Sequence, residues 1–192
     1  SFALPVVLKV DSPDILHKSD VGGVRLDLRA PAEAAAAYDE IVAAVRRHAP
    51  HARVAGVDVQ PMVGGGWEVI AGGRRDPQFG PVVMFGLGGI YVEALGEVAF
   101  RLAPVSRAEA REMIAALRTG RLLGGLRGTV PADVEALAAT IERLSLLMVD
   151  CPQIAELDLN PVHVLPVGEG CLVVDARMIL DNQSEQIGER LR

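Results

Sequence analysis

IAELDLNP, residues 154–161, is the stretch on which the reading of this chain turns. Written as a strand, its side chains alternate between two faces. Glu156, Asp158 and Asn160 then point one way, and Ala155, Leu157 and Leu159 the other. Oxygen-bearing side chains in a row on an otherwise apolar strand are costly to bury without a partner. A hard divalent cation is a natural partner, because magnesium takes oxygen ligands and accepts a mixed shell of carboxylate, amide and water. The following run, CLVVDAR (171–177), places one acid, Asp175, after an apolar stretch. Two adjacent strands would bring Asn160 and Asp175 to one ion. A polar, solvent-facing side of an edge sheet fits the same residues, and this stretch alone does not choose between the two.

Upstream, PVVLKV (5–10) reads as a strand, DSPDILHKSDVGG (11–23) as a loop, and GVRLDLRA (23–30) as a half-buried strand with Val24, Leu26 and Leu28 alternating against charged residues. Together they predict a hairpin with a long tip. Residues 31–50 predict a helix with Pro31 in its first turn and an apolar stripe through Ala37, Ile41 and Val45. Residues 53–63 predict a strand interrupted by Pro61; 64–76 a glycine turn, a strand and another turn; 79–90 a strand entering a glycine-rich turn; and 97–105 a strand. Ser106 and Glu109 form a capping-box pattern at the head of a helix over 106–119. A flexible connector at 122–129 precedes a long helix over 130–150, and strands follow at 153–165 and 169–180. Roughly eight strands and three helices, with strands linked mostly by short turns, give an α+β class and not the alternation of a doubly wound sheet. A lobe boundary is expected near Gln60–Gly66.

The 192 residues carry a net charge of −6, and only 4% of them are aromatic. A nucleic-acid binder would need a basic stripe and stacking platforms, so that class is excluded. The apolar runs are far shorter than the ~20 residues of a membrane span. Cys151 and Cys171 lie singly in apolar segments, without metal-ligand spacing or a disulfide framework, so a reduced, cytoplasmic protein is expected. Of the 19 basic residues only Lys9 and Lys18 are lysines. Two lysines this close together, just ahead of a glycine-containing tip, suit phosphate binding by a compact ammonium. The tip adds backbone N–H groups, and His17 on it could accept a phosphoryl group as a nucleophile, although an exposed loop histidine fits as well. Walker A spacing is absent, and Gly86–Gly89 does not match a dinucleotide-binding fingerprint. Glu68, Glu93 and Arg101 are charges within or beside apolar segments; Arg101 could meet phosphate oxygens bidentately. His163 reads as structural.

PVVLKVDSPDILHKSDVGGV, VQPMVGGGWEVIAGGRRDPQFGPVVMFGLGGIYVEALGEVAFRLAP, IAELDLNPV and VVDAR together closely resemble the ATP-grasp domain of ADP-forming acyl-CoA synthetases, a domain also found in succinyl-CoA synthetase β subunits. The resemblance runs from about Pro5 to Leu180. It implies an ATP-grasp fold, two α+β lobes with a nucleotide cleft between them: 1–60 a remnant of the N-terminal lobe, 61–181 the C-terminal lobe and 182–192 a polar tail. It implies ATP or ADP with Mg2+ as ligands. Lys9 takes the place of the lysine that touches the phosphates, Ser19, Gly22 and Gly23 that of a phosphate-covering loop, and Val59, Gln60 and Met62 that of the segment framing adenine. Glu68 stands near the nucleotide, Asn160 and Asp175 match the magnesium ligands, and His17 matches a histidine of the phosphoryl relay. Lys9, His17 and Arg101 are thus the catalytic candidates.

The implied chemistry is phosphoryl transfer through phosphohistidine within the reaction of carboxylate, CoA and ATP to acyl-CoA, ADP and phosphate. The implied partner is a CoA-binding or CoA-ligase domain or subunit, with a homo-oligomer also possible. Family domains begin with further residues before PVVLKV, so a piece of a larger protein is expected, unable to make acyl-CoA alone. Two other readings stay open: a nucleotide-sensing regulatory module of a protein acetyltransferase fusion, and a structural interaction domain.

Overall fold

The computed structural model describes residues 4–15, 17–88, 96–118, 120–125 and 130–181. Glu93, the end of the glycine run at Gly89 and the tail 182–192 lie outside them. The chain divides into two compact units, Ser1–Gly64 and Gly65–Arg192.

In the first unit β1 (Val6–Asp11) is flanked by β2 (Val24–Leu28) and β3 (Gly56–Pro61), all antiparallel. The expected hairpin is present, with Lys9 opposite Val24. Alternation along β1 sends Val6, Leu8 and Val10 to one face, where Ala37, Ile41 and Val45 of α1 (Pro31–His48) complete a small core. Ala30 supplies no side-chain cap to α1; Pro31 at the first turn, Glu33 behind it and Arg46, Arg47 and His48 in the last turn suit the helix dipole instead. Asp14 receives the Arg53 backbone N–H at 2.8 Å and its Nη2 at 2.8 Å, tying the tip's entry to the segment after α1. The Arg53 hydrogen bonds pull the Asp14 carboxyl down to about 2.

The second unit is a six-stranded antiparallel sheet in the order β6–β5–β4–β7–β8, with β9 on the other half of β7. The strands are β4 (Trp67–Asp76), β5 (Gly80–Leu87), β6 (Val98–Leu102), β7 (Ile154–Val164), β8 (Cys171–Val173) and β9 (Ala176–Leu180). The helices are α2 (Arg107–Ala116), α3 (Gly120–Leu123) and α4 (Val134–Asp150). The described residues thus hold nine strands and four helices. Val69, Ala71, Val83, Phe85, Leu157 and Val162 on one sheet face pack with Met113, Leu137, Ile141 and Met148 into the main core. The capping box at Ser106 and Glu109 is formed. Ser145, fully buried inside α4, accepts the Val105 N–H at 3.0 Å and fastens the helix to the segment before α2. Among the described residues no helix is long and apolar enough to cross a membrane.

Three expectations need correction. The segment read as a turn at Gly72–Gly73 is strand, because these glycines answer close approaches and not a reversal. A Cβ on Gly73 would lie 2.6 Å from Met148 Cγ, and one on Gly72 would lie 3.0 Å from the Leu157 carbonyl. The strand expected over 169–180 breaks at Val174–Asp175, where the chain passes from β8 to β9 along one edge of β7. The helix expected from residue 130 starts only after Asp133, whose carboxylate caps it.

The Gly73 contact yields a stability prediction. Met148 is fully buried and has little room to yield. Gly73→Ala is expected to cost about 1–3 kcal/mol by overpacking and Met148→Ala about 2–5 kcal/mol by cavity formation. Because the two changes compensate in space, the double variant should lose less than the sum of the two. Urea titrations of all three proteins measure this, and strict additivity would argue against the contact.

Candidate active site

The face of the second unit's sheet away from its helices holds the acids that open the sequence reading. Register fixes which residues share it. Asp158 stands opposite Gly72, Gly72 opposite Met84, and Met84 opposite Phe100. One step along, Leu157, Gly73 and Val83 face the helices. Glu156, Asp158 and Asn160 therefore do present one row of oxygens, while Leu157 is buried on the other side. They line a groove of about 550 Å³ whose floor is apolar, with Ile70, Val82, Met84, Val98 and Phe100, and whose far end carries Arg74 and Asp76. Gly72 has a second consequence here: without a side chain beside Asp158, the groove stays deep.

Asn160 and Asp175 are brought together. The register of Asp158 with Arg177 and Leu159 with Ala176 carries on to Asn160 against Asp175, and the Asn160 N–H donates to the Asp175 carbonyl at 3.0 Å. The Asp175 carboxylate accepts the Ala176 N–H at 3.0 Å, which steadies it. A carboxylate beside an amide oxygen, with Asn160 exposed at the groove, suits magnesium, which keeps several waters and needs only one or two protein oxygens. No group of three His, Cys, Asp or Glu residues able to hold a metal gathers among the described residues.

Glu68 lies on the same open face, opposite His163 on β7. His163 Nε2 stands 3.5 Å from the Glu68 carboxylate, and its Nδ1 is 3.3 Å from the Gly65 carbonyl. No local pattern marks this link, since 95 positions of chain separate its members. Arg101 is placed elsewhere. It is opposite Val83 on the helix-covered side, donates to the Phe100 carbonyl at 3.0 Å, and its charge helps lower the Glu109 carboxyl, after the Ser106 hydrogen bonds that dominate. Arg101 and Asn160 thus occupy opposite faces of one sheet.

In the first unit Lys9 is buried, only 7% exposed, on the sheet face away from α1. Asp58 sits opposite it on β3, and Gln60 is on the same face opposite Val7. Val59, opposite Leu8, turns toward the helix side, and the Met62 N–H donates to the Pro5 carbonyl at 3.0 Å. His17 and Ser19 are exposed on the tip. There the Asp20, Gly22 and Gly23 amides donate to the carbonyls of His17, Ser19 and Lys18 at 3.2, 3.0 and 2.7 Å. Gly22 and Gly23 thus help shape the tip in this conformation.

The family described as an ATP-grasp domain matches residues 1–180. Acetate–CoA ligase [ADP-forming] I of Archaeoglobus fulgidus is 51% identical over 183 residues, which are 95% of this chain and 26% of that protein. The chain therefore spans about a quarter of that relative's length. The β subunit of acetate–CoA ligase [ADP-forming] I of Pyrococcus furiosus is 46% identical over 92% of this chain and 75% of that subunit. Among solved structures, the dinucleotide-forming acetyl-coenzyme A synthetase 1 of Ca. Korarchaeum cryptofilum, in complex with coenzyme A, Ca-AMPCP and HgCl+, superposes with a TM-score of 0.88 at 48% identity, covering 93% of this chain and 77% of that one. By the match over residues 1–180 and the 46% identity to a subunit of which it covers 75%, the chain belongs to the ATP-grasp family, in the group of the ADP-forming acetate–CoA ligase β subunits.

Proposed function

We propose that the chain binds ATP or ADP with Mg2+ and carries out phosphoryl transfer as part of an ADP-forming acyl-CoA synthetase. The observation that carries this reading is the placement of Asn160 against Asp175 at one end of an apolar-floored groove. Asn160 and Asp175 would hold the magnesium ion, which when bound offsets negative charge on the transferring phosphoryl group. Lys9 supplies an ammonium for phosphate oxygens, and His17 is the candidate acceptor in the relay. Glu68 is set on the groove face by His163 and is a candidate contact for the nucleotide's polar edge. The ligase names of both relatives favour turnover over the sensing module. By the same reading, the CoA-handling half of the reaction belongs to a partner domain or subunit, and the chain by itself makes no acyl-CoA.

Thermal unfolding with and without nucleotide tests the reading. A ligand that binds only the native state at 100 times its Kd adds about 2.7 kcal/mol, roughly 5–10 °C for a chain of this size. ADP with magnesium should give a shift of that order, and ADP with a chelator a clearly smaller one. An unchanged Tm at millimolar ADP and magnesium would refute it.

A further inference from the structure

We infer that Arg25 is a positioning residue: it locks the end of the His17–Gly23 tip to the start of β2, so that His17 and Lys18 meet a nucleotide's phosphates from a fixed pose. The role in binding rests on the nucleotide reading above; the lock itself stands on geometry within the first unit.

Arg25 Nη1 donates to the Gly22 carbonyl at 3.1 Å and to the Val24 carbonyl at 2.9 Å, while its Nε donates to Glu40 Oε2 on α1 at 3.0 Å. One planar fork thus spans the end of the tip, the start of β2 and a helix. A lysine brings the charge but not this fixed spread of donors. The remaining sides of the tip are also tied. Gly23 is buried under β1, its carbonyl accepting the Val10 N–H at 2.7 Å, and a Cβ there would fall 2.5 Å from Val10 Cγ1. Gly22, at φ +69°, sits against Ala44 of α1, where a Cβ would approach within 3.1 Å. With the internal amide bonds from Asp20, Gly22 and Gly23, the tip is anchored to β1, to α1 and to itself. A tip ordered in advance does not charge its ordering entropy to the ligand. The Arg25–Glu40 pair is partly exposed and is worth little as an ion pair; the two carbonyl bonds do the holding.

The test uses the whole chain and two measurements. Amide hydrogen exchange by NMR should show protected Asp20, Gly22 and Gly23 in the wild type, and protection lost by about tenfold or more in Arg25→Ala, with the Ile41 and Val45 amides of α1 unchanged. Calorimetric titration should show affinity for ADP with magnesium falling about tenfold in the same variant, and affinity for adenosine unchanged, since adenosine lacks the phosphates the tip would meet. Arg25→Lys should behave like Arg25→Ala, and Glu40→Gln should change either measurement by less than about threefold. Equal tip exchange in wild type and Arg25→Ala overturns the lock. A loosened tip with undiminished ADP affinity overturns the positioning role while leaving the nucleotide reading intact, as does full recovery in Arg25→Lys. Failure of the wild type to bind ADP with magnesium overturns that reading and this role together. If Arg25→Ala unfolds α1, Arg25→Lys provides the same comparison.

Discussion

Asp175→Ala is expected to weaken the binding of ADP with magnesium by about 100-fold or more, close to 2.7 kcal/mol, while leaving metal-free ADP binding nearly unchanged. The reasoning is local. Asp175 is the one carboxylate of the proposed pair, and magnesium held by few protein oxygens depends on the charge of each. Its backbone carbonyl, which receives the Asn160 N–H, survives the substitution, so the strand edge should stay in place. The Ala176 N–H loses its acceptor, at an exposed position where water can replace it. Asn160→Ala should fall in the same direction by less, because an amide oxygen carries no full charge. Calorimetry with magnesium and with a chelator separates metal-linked from direct effects. Equal affinity of wild type and Asp175→Ala in magnesium would rule out the metal assignment.

The second large effect is on stability. Asp133, 8% exposed, accepts the Ala136 N–H through Oδ1 at 3.0 Å and the Gly168 and Gly170 N–H groups through Oδ2 at 2.9 and 3.1 Å. It caps α4 and clamps the β7–β8 turn at once. Asp133→Ala loses the cap, about 1 kcal/mol, and strands two further donors, so a total near 3 kcal/mol is expected. Asp133→Asn separates the two duties. An amide oxygen can still cap, but its NH2 group faces the Gly168 and Gly170 donors, so this variant should remain markedly destabilised. The Ala136 hydrogen bond, ahead of those from Gly170 and Gly168, holds the Asp133 carboxyl below its usual range against the opposing effect of burial. A lowered folded-state value means the carboxylate's stabilisation is fully present above the unfolded pKa, near 3.9, and fades as pH falls through the lower folded value. The stability gap between wild type and Asp133→Asn should therefore narrow below about pH 4. Denaturant titrations across that range report it, and a gap that widens in acid would contradict the clamp.

What could be read from the chain depended on how local its cause was. The β1–β2 hairpin, α1 and the two faces of β7 were legible because each is a periodic pattern within a few residues. The capping box needed only Ser106 and Glu109. Gly72 and Gly73 misled because glycines also mark turns, whereas here one answers a helix packed from residue 148 and the other opens the groove. The break at Val174–Asp175 carries no glycine or proline to mark it, only an acid at the end of an apolar run. Arg101 could not be assigned a face until Ala99 was seen buried with Phe85. Glu68 with His163, Arg25 with Glu40 and Asp133 with the 168–170 turn are pairings made by tertiary structure, and a single sequence carries no record of them.

β7 is hydrogen-bonded along both edges, to β4 on one side and to β8 and β9 on the other. Fraying one neighbour leaves the strand held by the others, and Asn160, at the irregular step of β7, is tied by its N–H to the Asp175 carbonyl. A magnesium ion held there as proposed would come and go many times over the life of the fold, with little wear on the strand beneath it.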